Sequence, residues 1–187
     1  MEKLNLDLNI TEDEIVDIEY NEPLMSICNK INVYLDNGKV NDYGFSLAMI
    51  SEVINGNYPE IIVDEYFLLL SDESKKFVLY HEIGHYVKGH LSKYYTFKDS
   101  IINFFNDIFK DKLNIDEQEA DYYAYTKVGD LDKCMEYFDE IYLACKVQLL
   151  DSGDTCQYQL NKLKRDFENR KRLLARNVEE KRFLCSK

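Results

Sequence analysis

The sequence predicts an α+β fold, on three observations. Its strand-like runs all fall before residue 68, and from Ser71 to about residue 183 apolar residues recur at helical spacing. Pro and Gly are scarce, 2 and 7 of 187 residues, while 45% of residues are hydrophobic, which suits a helix-rich chain with a buried core. The length fits one domain, residues 1–187.

Residues 1–22 are polar and acidic, with one short apolar alternation at IVDIEY. Pro23 suits the first turn of a helix, and the apolar spacing of PLMSICNKINVYL predicts that helix. DNGK at 36–39 signals a turn. YGFSLAMISEVI, 43–54, reads as a strand, although its Ala-Met-Ile-Ser-Glu centre also tolerates a helix. NGNYP breaks it, and EIIVDEYF from Glu60 has the strongest strand character in the chain.

Ser71 then reads as an N-cap, with Asp72 and Glu73 in the first turn, where the helix dipole favours negative charge. FKDSIINFFNDIFKDKL, 97–113, predicts an amphipathic helix packed over the histidine region. NIDEQEADYYAYTKVG predicts another, capped by Asn114 and stopped by Gly129. Asp130 restarts a helix to about Leu150, and a last helix takes most of 155–183. Its stripe of Leu160, Leu163, Phe167, Leu174 and Val178, with i,i+4 pairs Asp166–Arg170 and Glu168–Arg172, predicts an amphipathic helix lying on the body.

The net charge of −12 is uneven: residues 161–187 hold all five arginines and carry +6, leaving −18 on the rest. Phosphate contacts need Lys and Arg, so no nucleic-acid partner is expected. The five cysteines form no CxxC pair, and MEKLNLDLNITEDE lacks an apolar signal core. The expectation is a cytoplasmic protein with reduced thiols and no membrane span.

All three histidines lie in residues 71–90, within SDESKKFVLYHEIGHYVKGH. On a helix, His81 and His85 project from one face and can meet one ion, while Glu82 sits about 100° round the helix. That offset suits a base acting on water beside the ion, the physical reason for the HExxH spacing. Gly84 costs about 1 kcal/mol of helix stability relative to Ala, so its presence suggests close packing against backbone.

A catalytic zinc needs a third protein ligand. His90 is a poor candidate, because in a straight helix it points about 140° from His85. The metzincin pattern HExxHxxGxxH also fails, with Lys88 and Leu91 where its Gly and His would stand. His90 therefore reads as a helix-end or surface histidine, or a substrate-facing group. EQEAD, 117–121, is the better source. Glu117 and Asp121 share a helix face, so Glu117 can ligate and Asp121 can accept an imidazole N–H. Asp116 and Glu119 project from other faces. Against this, Asn114 with Glu117 also resembles a capping box.

HEIGH at 81–85 followed by EQEAD at 117–121 resembles the gluzincin peptidases, above all the small soluble ImmA/IrrE-type and HtpX-like minigluzincin proteins. The approach IIVDEYFLLLSDESKKF resembles the ImmA/IrrE pattern, whereas Asp121, often Asn in those proteins, leans toward the HtpX-like one. The membrane segments of HtpX-like proteases have no counterpart here. The likeness covers about 43–128 as a metallopeptidase core, with 130–187 as C-terminal helices. It implies a zincin-like fold with a small N-terminal sheet on the HExxH helix, and one Zn2+ held by His81, His85 and Glu117. It further implies Glu82 as general base, Asp121 behind a ligand, and a protein or peptide substrate such as a repressor. An oxyanion donor is sought among His90, Tyr122, Tyr123, Tyr125 or a tail arginine. The alternative is a zinc-stabilised interaction module without turnover.

Overall fold

Four short strands and four long helices, with one 3-10 turn, make up the described part of the computed structural model, which covers residues 25–27, 31–35, 47–52, 59–90, 111–151 and 157–185. The protein is mixed α and β, mostly helical, with one small sheet. The helix expected over 97–110 and the acidic segment before residue 23 lie outside the described residues.

Strands β1 (Met25–Ile27), β2 (Ile31–Leu35), β3 (Ala48–Glu52) and β4 (Pro59–Val63) lie in the order β1-β2-β4-β3. Only β2 and β4 run parallel, with Val33 opposite Ile61. Along β4 burial alternates, and Ile61 and Val63 are fully buried with Val33 beside them. That is the period of a half-covered strand. The helix expected after Pro23 is thus corrected to two strands. INVYL alternates as well as it spirals, and pairing with β4 buries Val33. The ambiguous 43–54 run resolves as β3, an edge strand. The run from Glu60 leaves the sheet early, because the Asp64 carboxylate accepts the Tyr66 N–H at 2.8 Å and caps a 3-10 turn, Glu65–Leu69.

Helix α1 (Asp72–Val87) starts at Ser71, whose Oγ accepts the Ser74 N–H at 3.3 Å. Glu140 completes this end: its carboxylate accepts from the Ser71 and Ser74 hydroxyls and the Ser71 N–H. An anion there is favoured by the helix dipole, and it ties α1 to α3 (Leu131–Asp151). α2 (Asp111–Val128) ends at Gly129, in the left-handed region at φ 75°. Its start corrects the expectation at Asn114, which lies inside the helix, so Glu117 sits in the second turn and is not closing a cap. Asp130 caps α3 through the Lys133 N–H at 3.2 Å.

The last helix, α4 (Gln157–Cys185), buries Phe167, Leu174 and Val178 as expected. Its ion pairs differ: Arg170 turns inward to Asp121, Glu168 faces Lys164, and Arg172 reaches Asn169. One hydrophobic core joins the sheet, α1, α3 and α4, with Phe77 edge-on to Phe138 at 5.2 Å. Among the described residues, no helix is long and apolar enough to cross a membrane.

α1 and α2 meet at Gly84. A β-carbon there would lie 3.0 Å from Ala120 Cα and 3.1 Å from Tyr123 Cβ, so any larger residue requires the facing helix to give by a few tenths of an ångström. Gly84→Ala should lower stability by about 1–3 kcal/mol in urea unfolding despite its better helix propensity, because backbone must move. A neutral or stabilising result would show that the helices are not in register through this contact.

Candidate metal centre

Two helices build the cluster. From α1, His81 and His85 stand one turn apart with their rings 4.7 Å between centroids; from α2, Glu117 faces both. The Nε2 atoms of the two histidines are 3.0 Å apart, and the Glu117 oxygens lie 3.3 Å from each. A tetrahedral ion with bonds of about 2.0–2.1 Å spaces its donors by about 3.3 Å. The triangle therefore has the dimensions of three sides of such a site. Two imidazoles and one carboxylate are also a donor set that suits zinc with a position left open.

Charge tells the same story. Two nitrogen lone pairs at 3.0 Å repel unless a proton or a cation lies between them. Of the two, His81 is the one whose surroundings favour the protonated form. Burial opposes its charge, yet the Glu117 carboxylate and the hydrogen bonds to Asp121 and Glu117 hold its pKa up at about 10. Burial likewise disfavours the Glu117 anion, but His81, His85 and Arg170 hold its carboxyl well below the usual range. His81, His85 and Glu117 thus form a group that could hold a metal ion.

His81 is oriented from behind. Its Nδ1 lies 2.8 Å from Asp121 Oδ1, which leaves Nε2 for the triangle. Asp121 is 1% exposed and also binds Arg170 from α4 in a two-pronged contact, with Nε to Oδ2 at 3.0 Å. Arg170 stacks over Phe138 and Phe167 and comes within 3.8 Å of Glu117. Sequence reasoning reached only as far as "a tail arginine", and it gave Arg170 to Asp166. The missed signal is position: Arg170 interrupts the apolar stripe between Phe167 and Leu174.

Glu82 lines a cavity of about 320 Å³ together with His81, His85 and Glu117. Its Oε2 accepts the N–H of Ile50, 3.0 Å away on β3. Burial pushes the Glu82 carboxyl above its ordinary value, partly offset by His81 and His85. The other walls are Leu47, Ala48–Ile50 of β3, apolar residues of α1, α3 and α4, and Arg170.

The remaining candidates do not reach this cavity. Tyr122 lies under Lys181, Tyr125 takes a contact from Arg182, and Tyr123 packs beside Lys127 and Gly84. His90 is neither a surface nor a substrate-facing group. α1 stops at Val87, Gly89 takes φ 68°, and the His90 N–H returns to His85 O at 2.9 Å. This glycine turn folds His90 back beneath His85, so the straight-helix angle does not apply.

Two measurements check the centre. Because His81 must lose its proton to ligate, zinc binding should release a proton, read by calorimetry in buffers of different ionisation enthalpy, and tighten as pH rises. The sign for the metal-free fold is opposite: a raised pKa stabilises fully below about 6.5 and is lost as pH rises through about 10. Chelator-treated protein should thus lose stability from pH 7 to 10, and Glu117→Gln should flatten that slope. Asp121→Asn should weaken zinc binding about 10–100-fold; unchanged affinity would remove Asp121 from the site. Compared with known proteins, the chain matches no family model, no curated protein and no solved structure.

Proposed function

We propose that the protein is a zinc-dependent endopeptidase of gluzincin type, in which His81, His85 and Glu117 hold the ion and Glu82 moves the protons of peptide hydrolysis. One observation carries this reading: a two-imidazole, one-carboxylate triangle of 3.0–3.3 Å stands at the mouth of a cavity that also contains Glu82 and a sheet edge. HEIGH and EQEAD, the pattern that resembles gluzincins, are the two segments that form it.

Zinc held by His81, His85 and Glu117 would supply a polarising charge for the scissile carbonyl and would lower the pKa of a water to about 7. Glu82 takes a proton from the attacking water on a carboxylate oxygen and passes it to the nitrogen of the departing amine. A carboxyl whose pKa is raised by burial is suited to holding that proton for the interval. Arg170 adds positive charge on the cavity wall, against which a developing oxyanion is stabilised.

The substrate is a protein or peptide in extended form. β3 is the last strand of the sheet, and Ile50 turns its N–H away from β4 and toward Glu82, so the outer edge of β3 faces the triangle. A peptide adding there by backbone pairing lies across the metal centre. Val78, Phe138, Ile141, Leu163 and Phe167 offer one of its side chains an apolar pocket.

The deciding variant is Glu82→Gln. It should keep one zinc per chain while cleavage of a peptide library falls about 10²–10⁴-fold in kcat/KM. Full activity in that variant sinks the proposed base. Absence of cleavage in zinc-loaded wild type would favour the interaction module.

A further inference from the structure

His90 is 1% exposed and is held at both ring nitrogens. Its Nδ1 lies 3.0 Å from Nδ1 of His85. Its Nε2 lies 3.0 Å from Glu119 Oε2 and 3.4 Å from Asp116 Oδ1. Atoms of His90, Asp116 and Glu119 also fall within 4.8 Å of one another, close enough to share an ion of their own. This cluster is therefore either a second metal site or a support for the first.

Counting protons separates the two. Only one proton fits between the two Nδ1 atoms. His85 joins the triangle through Nε2, and a neutral imidazole with its lone pair on Nε2 carries its proton on Nδ1. His90 Nδ1 must accept that proton, so the hydrogen of His90 itself sits on Nε2 and is donated to Glu119. An ion on His90 Nε2 reverses each step. The His90 proton then moves to Nδ1, His85 becomes the acceptor, and the His85 proton is left on Nε2, where it blocks the triangle. With neutral imidazoles the two clusters exclude each other.

We propose that His90 is a positioning residue that fixes the tautomer and ring orientation of His85, passing its hydrogen bond on to Glu119 and Asp116. This rests on the reading of His81, His85 and Glu117 as the metal centre. The two ligand histidines are thus supported unequally: His81 by the Asp121 carboxylate directly, and His85 through an intervening imidazole. The turn at Gly89 places that imidazole, and the straight run of α1 could not.

The test is zinc affinity by chelator competition, together with nitrogen NMR of histidine-labelled, zinc-loaded full-length protein. In wild type we expect one zinc per chain, His85 protonated on Nδ1 and His90 protonated on Nε2. His90→Leu removes the acceptor and should weaken zinc about 10–100-fold. His90→Asn places an amide oxygen near the position of Nδ1 and should recover most of the loss. If His90→Leu fails to fold, the wild-type tautomers and the His90→Asn affinity still decide the matter. Unchanged affinity in His90→Leu, or His90 protonated on Nδ1 in the zinc-loaded form, overturns the proposal and leaves the metal centre standing. Two zinc ions per chain, one lost with His90, overturns it in favour of a second metal site. No zinc in wild type overturns both readings, and is told apart by that alone.

Discussion

The site depends on one buried carboxylate. Asp121 is 1% exposed, and a charge taken that far from water is tolerated only with opposite charge and hydrogen bonds around it. Arg170 supplies the charge from α4, and His81 the hydrogen bond from α1. Both hold the Asp121 carboxyl below its ordinary value against the effect of burial. Three helices are thereby fixed at one point. Asp121 lies one turn along α2 from Glu117, so whatever holds Asp121 also sets the position of the third candidate donor.

Around that point the chain uses a different device for each donor. Gly84 and Ala120 bring α1 and α2 to backbone contact, which brings Glu117 within 3.3 Å of both imidazoles. Glu140 holds the start of α1 on α3 and so limits sliding of the histidine-bearing helix. The Ile50 N–H holds Glu82 toward the sheet edge, in the cavity that His81, His85 and Glu117 also line. Each device is a polar or steric contact of defined geometry, set in a core of Phe77, Phe138 and Phe167 that supplies rigidity without direction.

Much of this was legible in the residues. Helix boundaries at Ser71, Gly129 and Asp130 follow from side chains that cap or terminate locally, and the cluster of His81, His85 and Glu117 follows from i,i+4 spacing on two helices. The failures share a physical cause. The hairpin of β1 and β2 depends on β4, some thirty residues away, so local period alone favoured a helix. Arg170 pairs across forty-nine residues with Asp121, although Asp166 stood one turn away. His90 does stand at a helix end, as one expectation had it, but it is neither at the surface nor facing the cavity, because the Gly89 turn folds it under His85. Local rules read what neighbours decide; they do not read what distant partners override.

The last consequence concerns where the site ends. The gluzincin-like pattern closes near residue 128, but the chemistry it implies does not. Phe138 and Phe167 make part of the cavity wall and carry the Arg170 guanidinium over their rings. Without that cation, Asp121 would be a buried anion facing only the His81 imidazole, and its charge would favour the protonated imidazole more strongly. Arg170 therefore does more than neutralise a carboxylate. It lies against both Asp121 and Glu117 and opposes a positive charge on His81, so the C-terminal helix shapes a cluster that could hold a metal ion although it supplies none of the three candidate donor atoms.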